Sequence, residues 1–339
     1  MYRDVEAIKK YIATYWSAVD LRYRQLSNPA VRLNIAAVIL STGRQEVPFI
    51  QSSIYDRIKI DADKVLIETG KYLLSNKIFR FRDNFDLSLT MTSRNMCTID
   101  TNGDDCSTMG YAYVSSACSV IKSEDNSYKM VEGVGMVEDN GGFKGIMLAA
   151  HELGHILGVE HDEVGNCKYR YGIEDGYIME NQLAFSDNSF DWSPCSLRNF
   201  SIFLNHGNAT CLRNKPIIGN KINNFLPGQL YSLEHQCEKH YPGSRPCKEG
   251  TFLRNICLEL NCILPFTNEC VRTVPAAEGS PCGLNSGQGK EKCGKSKRPA
   301  TRFTIASRLY VFLTAAVRFP DVYGRTPTPK RRLTGAVGQ

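Results

Sequence analysis

AAHELGHILGVEHD, at residues 149–162, carries three histidines in the spacing of a metal-binding helix. An α-helix has about 3.6 residues per turn, so His151 and His155 project from one face and can reach a single ion. Gly158 can adopt a positive φ, which would end the helix and turn the chain back. His161 would then supply a third imidazole. The stretch therefore predicts a metal site with three histidine ligands.

The chemistry that this site predicts is that of a catalytic zinc ion. Three protein ligands leave the fourth tetrahedral position open to water, whereas a structural zinc site is closed by four. Glu152 directly follows the first histidine and is the candidate general base. The alternative is an amphipathic helix with its histidines in the core. A chance match to the motif would be rare, however, because the motif fixes five residues and the chain has only six histidines. We expect Asp162 to hold the following loop by hydrogen bonds and not to bind the metal.

The motif HExxHxxGxxHD resembles the signature of the metzincin metalloproteases, and Asp162 points to their reprolysin (adamalysin- and ADAM-like) branch. Residues 175–179, DGYIM, look like the Met-turn of that family, with Met179 as its methionine. A buried methionine without such a role is the alternative. The resemblance implies a zinc endopeptidase with one catalytic Zn²⁺.

Five more stretches extend the resemblance. Gly110, Tyr111 and Ala112 begin GYAYV, which is similar to the family's edge strand, where an extended peptide substrate adds as a further strand. Residues 226–231, LPGQLY, resemble the start of the cysteine-rich region of ADAMTS proteases and of tick salivary gland metalloproteases, the group that the chain resembles most. The segments that resemble the end of the protease domain are 185–186, 192–196 and 211–212.

These observations predict an α/β (α+β) metzincin domain with a central mixed sheet and a zinc helix, followed by a small disulfide-rich domain. We place the catalytic domain at 1–214, without the first core strand that the family has, and the cysteine-rich domain at 215–294. Residues 295–339 are expected to be a disordered or aberrant tail. The predicted helices cover an opening helix through residue 19, then 54–74, the zinc helix from 145, and 196–205, and the predicted strands cover 31–40, 85–92, 110–114 and 130–136.

Thirteen cysteines are many for a cytosolic protein of 339 residues and indicate disulfides formed in an oxidising compartment. The resemblance implies the pairs Cys118–Cys211 and Cys167–Cys195, which leaves Cys97 and Cys106 as a local pair. Seven cysteines remain in the second domain and cannot all pair within it. A structural zinc site is the alternative for these seven, which are Cys237, Cys247, Cys257, Cys262, Cys270, Cys282 and Cys293.

The polar loop between the first two cysteines offers weak support for Ca²⁺, through Asp100, Asn102, Asp104 and Asp105.

From residue 295 onward the chain has ten basic residues and one acidic residue, Asp321. A nucleic-acid or heparin patch is one interpretation of this charge. We favour a disordered extension or a shifted reading frame, draw no functional inference from this charge and expect no nucleic-acid partner. The apolar stretch 305–317 is too short to span a membrane, so no membrane anchor is expected.

The sequence therefore predicts a secreted zinc endopeptidase in which Glu152 assists a water molecule in attacking peptide bonds of extracellular host proteins. Fibrinogen and matrix components are the candidate substrates that the tick resemblance implies. The alternative is a catalytically idle protein that binds a host receptor or matrix protein through its cysteine-rich domain. Neither a secretory signal nor a pro-segment is recognisable in the sequence, and two glycosylation sequons begin at Asn199 and Asn208.

Overall fold

The computed structural model describes residues 2–40, 47–77, 80–101, 103–164, 167, 175–181, 186, 188–213, 225–247, 256–267, 269–282, 291–293 and 307–316. The helices are α1 (Tyr2–Tyr23), α2 (Pro48–Ser53), α3 (Ala62–Ser75), α4 (Ile146–Ile156), α5 (Pro194–Asn205), α6 (Pro227–Leu230) and α7 (Leu233–His240), with a 3₁₀ segment at Gly207–Arg213. The strands in the first part of the chain are β1 (Val31–Leu40), β2 (Lys59–Asp61), β3 (Leu87–Thr92), β4 (Asn95–Asp100), β5 (Gly103–Asp105), β6 (Gly110–Ala112), β7 (Val120–Lys122), β8 (Lys129–Val131) and β9 (Val134–Glu138). The later strands are β10 (Arg245–Pro246), β11 (Asn261–Ile263), β12 (Cys270–Arg272), β13 (Pro281–Cys282), β14 (Glu291–Lys292) and β15 (Ser307–Ala316).

A five-stranded mixed sheet lies at the centre of the catalytic domain, in the order β1-β15-β3-β9-β6. The first four strands are parallel, and β6 pairs with β9 antiparallel. Helices α1 and α4 pack on one face and share a core with Tyr11, Val19, Leu89 and Leu153. Helices α2 and α3 cover the other face. This layered arrangement confirms the predicted α/β class.

Two predicted elements are wrong in part. The predicted helix 54–74 begins only at Ala62, because β2 precedes it with alternating side chains and Ile60 is fully buried. The side chain of Asp61 then accepts a hydrogen bond from the Lys64 amide and caps α3. The predicted strand 130–136 is two strands, since β8 pairs with β7 while β9 joins the central sheet.

The expectation of a wholly disordered tail is also wrong for Ser307–Ala316. This segment is β15, which lies between β1 and β3 and runs parallel to both. Leu309, Tyr310, Val311 and Phe312 are residue types that favour strands, and central parallel strands are commonly continuous apolar runs. The rest of the predicted tail lies outside the described residues.

The second domain is built from α6, α7 and strands β10–β14 around three disulfides, Cys237–Cys262, Cys247–Cys270 and Cys257–Cys293. Six of the seven cysteines thus pair with each other, in place of the alternative zinc site, and Cys282 lies beside the last pair. In the catalytic domain the disulfides are Cys97–Cys106, Cys118–Cys211 and Cys167–Cys195, the pairs that the sequence implied.

The two domains share a buried contact. Tyr231, just after α6, packs on the rings of Tyr11 and Phe143 at centroid distances of 6.1 and 5.0 Å. Arg22 of α1 forms an ion pair with Glu278 of the second domain, and both side chains are about 5% exposed or less. Among the described residues, no helix is long and apolar enough to cross a membrane.

Candidate metal centre

The zinc helix begins at a junction held by Asp139. Its carboxylate accepts hydrogen bonds from the Gly141 amide at 3.0 Å, the Gly145 amide at 3.1 Å and the Tyr11 hydroxyl at 2.5 Å. Gly145 is the N-cap of α4, so Asp139 ties the start of this helix to α1. The remaining turns of α4 are fixed by burial, because every residue from Leu148 to Ile156 is buried.

Three imidazoles, those of His151, His155 and His161, converge on one point. The Nε2 atom of His151 lies 3.0 Å from that of His155 and 3.1 Å from that of His161, and the remaining side of the triangle is 3.2 Å. Tetrahedral zinc with Zn–N bonds of about 2.0–2.1 Å separates its nitrogen ligands by about 3.3 Å. The triangle therefore has the size that a zinc ion requires.

The hydrogen bonds on the outer side of the rings fix the tautomers. Nδ1 of His151 lies 2.7 Å from the Ile178 carbonyl, and Nδ1 of His155 lies 2.7 Å from the Val159 carbonyl. A carbonyl oxygen only accepts, so both Nδ1 atoms carry the proton and both Nε2 atoms present lone pairs. Burial lowers the pKa of His151 to about 3 and that of His155 to about 4, which keeps both rings neutral. Lone pairs that face each other at 3.0 Å repel unless a cation lies between them, so the donor set fits a metal ion.

Gly158 places the third histidine. Its φ is +94°, and its amide and that of Val159 bond to the carbonyls of His155 and Gly154, which closes the helix with a Schellman motif. A Cβ atom on Gly158 would lie 2.6 Å from Cγ of Phe203, so the turn has no room for a side chain. The chain then returns to present His161.

Asp162 does not belong to the group of side chains that converges at the metal site. Its Oδ1 accepts hydrogen bonds from the hydroxyls of Ser193 and Ser196 at 2.6 and 3.0 Å. Its amide donates to the carbonyl of Met179 at 2.9 Å. Asp162 therefore joins the loop after His161 to the first turn of α5, where Ser193 is the N-cap.

Met179 lies beneath the zinc helix. Its side chain is fully buried, and a Cβ atom on Gly154 would lie 2.8 Å from its sulfur and 3.3 Å from the ring of Trp192. The carboxylate of Glu180 closes this turn by accepting hydrogen bonds from the amides of Gly176 and Tyr177. Since the Ile178 carbonyl orients His151, the turn both supports α4 and fixes one ring of the metal site.

Glu152 follows His151 on α4, and only 5% of its surface is exposed. Burial raises the pKa of its carboxyl to about 8 in the absence of metal. The side chain contacts Gly110 of β6, and a Cβ atom on that glycine would lie 2.8 Å from Cδ of Glu152. The edge strand and the candidate base are thus in direct contact.

Strand β6 is an edge strand in the part of the chain that the structure describes. Gly110, Tyr111 and Ala112 pair with Val137, Met136 and Gly135 of β9, and no described strand pairs with the opposite side of β6. The predicted segment continued to Val114, but the strand ends at Ala112. Burial and a hydrogen bond to Asp63 raise the pKa of Tyr111 to about 12.

The described carboxylates of the acidic loop make hydrogen bonds and do not converge on one point. Asp104 accepts hydrogen bonds from the Tyr55 hydroxyl at 2.9 Å and Lys59 Nζ at 3.5 Å, while Asp105 accepts one from the Ser107 amide. Asn102 lies outside the described residues. Among those that the structure describes, no group of carboxylates converges on one point, so calcium has no support.

Comparison with known proteins assigns both domains. The family model "Metallo-peptidase family M12B Reprolysin-like" matches residues 9–162. The chain carries a reprolysin-like metallopeptidase domain. The model for ADAMTS cysteine-rich domain 2 matches residues 227–297, which follow the reprolysin domain. The three histidines and Glu152 lie inside the first match, so the reprolysin domain is of the zinc metalloendopeptidase class.

Relatives come from insects and mammals. A silkworm (Bombyx mori) protein named "A disintegrin and metalloproteinase with thrombospondin motifs like" is 38% identical over 289 residues, which are 83% of this chain and 40% of that protein. Human "A disintegrin and metalloproteinase with thrombospondin motifs 6" is 33% identical over 83% of this chain and 24% of its own length. Venom metalloproteinase 3 of Eulophus pennicornis is 27% identical over 62% of this chain and 47% of its own length. The chain therefore spans less than half of each of these relatives.

Proposed function

We propose that this chain is a secreted zinc endopeptidase that cleaves extracellular proteins. The observation that carries the proposal is the triangle of Nε2 atoms at 3.0–3.2 Å, whose lone pairs face one another beside a buried carboxylate. His151, His155 and His161 would hold Zn²⁺, which supplies Lewis acidity to polarise the scissile carbonyl and to acidify water. Six disulfides support export to an oxidising compartment.

The residues of the chain itself perform the proton transfers in this mechanism. Glu152 accepts a proton from the attacking water and later donates it to the leaving amine. Strand β6 binds the substrate backbone in an extended conformation, because its outer edge offers the amide and carbonyl groups that strand addition requires. The contact between Gly110 and Glu152 places the bound peptide next to the base.

The test measures zinc content and cleavage of an unfolded protein, such as reduced and alkylated fibrinogen, by the refolded chain. We expect one zinc per chain and cleavage that 1,10-phenanthroline abolishes. Glu152→Gln should keep the zinc and lower kcat by at least about 100-fold, since the general base is removed without a change in shape. Cleavage by Glu152→Gln at the wild-type rate would contradict the proposal.

The same variant distinguishes the alternative of an idle protein that binds host receptors or matrix. A binding protein keeps its effect on a target when Glu152 is replaced, whereas a peptidase loses it. Native fibrinogen and matrix proteins are the first natural substrates to compare, as the resemblance to tick salivary enzymes suggested.

A further inference from the structure

Gly110 lies directly against the side chain of Glu152. A Cβ atom at this position would lie 2.9 Å from Cγ and 2.8 Å from Cδ of Glu152, and closer still to Oε1. Contacts of Cβ atoms below about 3.0 Å do not occur in proteins without displacement of a neighbour, because the repulsion rises steeply. One of the two residues would have to move if position 110 carried a side chain.

The backbone conformation does not explain a glycine here. Gly110 is a regular strand residue and is not among the residues with positive φ, whereas Gly158 is. Glycine is therefore required at position 110 because there is no space for a side chain, and not because the backbone is in a left-handed conformation. This separates Gly110 from the glycines that build turns in the same domain.

Neither backbone can readily withdraw from this contact. Strand β6 is held by its ladder to β9, with Gly110 opposite Val137, and the Met109 carbonyl accepts a hydrogen bond from the Glu138 amide at 2.8 Å. Glu152 is on the buried helix α4, which also carries two of the metal-binding histidines. A side chain at position 110 would therefore displace the carboxylate of Glu152 itself, which is the mobile part of the pair.

We propose that Gly110 is a positioning residue for the general base: the space left by its missing side chain is the space in which the Glu152 carboxylate lies. This role rests on the proposed function of Glu152 and is additional to the peptide-binding role of β6. Because glycine is the smallest residue, Gly110 would let β6, the strand that binds the substrate, lie as close as possible to the catalytic carboxylate.

The experiment is a double-mutant cycle of Gly110→Ala with Glu152→Asp. Aspartate is one methylene shorter, so its carboxylate leaves room for the added methyl group. We expect Gly110→Ala to lower kcat by at least about 10-fold in the wild-type background, with KM within about 2-fold, and to lower kcat by less than about 3-fold in the Glu152→Asp background. Zinc content should stay at one per chain in all four proteins, and Gly207→Ala, which has no atom within 4 Å of the new Cβ, is the matched glycine control.

The stability of the same four proteins is measured by urea unfolding without zinc. This measurement does not depend on whether the proteins cleave a substrate. Gly110→Ala should lower the unfolding midpoint more in the wild-type background than in the Glu152→Asp background. If Gly110→Ala fails to fold alone but folds together with Glu152→Asp, the steric conflict is established in the same way. This arm remains informative if the wild-type chain cleaves nothing, in which case the proposed function fails separately.

Three results would overturn the proposal. Equal losses of kcat and of stability in both backgrounds would show that the alanine disturbs β6 itself and not the carboxylate. A raised KM with unchanged kcat would show that the glycine serves only substrate binding. Failure of both the single and the double variant to fold would likewise place the requirement in the sheet.

Discussion

The ionisation of Glu152 depends on its buried surroundings. Its carboxyl is buried, and the pKa in the metal-free protein is raised to about 8 from an unfolded value near 4.5. Since the folded pKa is the higher one, the stability contributed by the neutral form is complete below about pH 4.5 and is lost as pH rises through 8. Zinc would oppose this loss by favouring the ionised form.

This linkage predicts how Glu152→Gln changes stability without metal. In EDTA the free energy of unfolding of the variant should match that of wild type near pH 5 and exceed it at pH 9 by several kcal/mol, on the order of 5 kcal/mol, because the wild-type carboxylate is then charged and buried. Urea unfolding followed by tryptophan fluorescence at both pH values measures the difference, in which the titration of other groups cancels. A difference that is independent of pH would show that Glu152 ionises normally in the folded protein.

At the scale of elements, the C-terminal end of α4 decides whether the third histidine reaches the metal. Gly158→Ala introduces a side chain at φ +94° and against the ring of Phe203. We expect a loss of about 2–4 kcal/mol of stability, from the left-handed conformation and from overpacking. Zinc affinity should fall as well, because His161 follows this turn directly.

Denaturant unfolding and competition with a zinc-binding dye measure the two effects of Gly158→Ala. Gly207→Ala is the control, since a Cβ atom there meets no atom within 4 Å and the φ of this glycine is not positive. Unchanged zinc affinity in Gly158→Ala would mean that His161 is placed by contacts other than this turn.

The sequence predicts the elements whose signals are local. The spacing of His151, His155 and His161 indicated the triangle, because helical geometry and one glycine determine it. The carbonyls that orient the rings, those of Val159 and Ile178, could not be predicted, since every residue has a carbonyl and only the fold selects one. Ser193 carried a usable signal, because a serine before a proline is typical of a helix N-cap.

The errors in the strands have a different cause. Residues 130–136 read MVEGVGM, and the apolar side chains in this stretch do not reveal that the chain changes partner between β8 and β9. The prediction of a disordered tail at residues 307–316 rests on the basic charge of the surrounding sequence, whereas the composition of these residues favours a strand. Pairing between distant segments is a property of the whole fold that local patterns do not report.

At the scale of the molecule, the ion pair between Arg22 and Glu278 links the two domains. Arg22 also donates to the Phe190 carbonyl at 3.3 Å, and its own carbonyl accepts a hydrogen bond from Trp192, which packs under the zinc helix. Burial lowers the pKa of Arg22 to about 10, so it remains charged at neutral pH. Loss of Glu278 would leave this charge buried without its partner.

We therefore expect Glu278→Leu to destabilise the protein by about 3–5 kcal/mol, and the double variant Arg22→Met with Glu278→Leu to recover much of that loss. Urea unfolding of the four proteins gives the coupling energy. The exposed pair between Lys9 and Glu6 is the control, and Lys9→Met should cost less than about 1 kcal/mol. Additive effects of Arg22→Met and Glu278→Leu would mean that the two charges do not interact.

The position of β15 determines when the central sheet can be completed during synthesis of the chain. β1 and β3 do not touch each other in the sheet, because β15 lies between them, with Val31 opposite Ser307 and Leu87 opposite Val311. A nascent chain in which residues up to the end of the second domain have been synthesised therefore still lacks the second of the five strands of the central sheet. Contacts between such distant segments form slowly and leave strand edges exposed meanwhile. The catalytic sheet can therefore close only after residues 307–316 have been synthesised, so the edges of β1 and β3 stay unpaired until then.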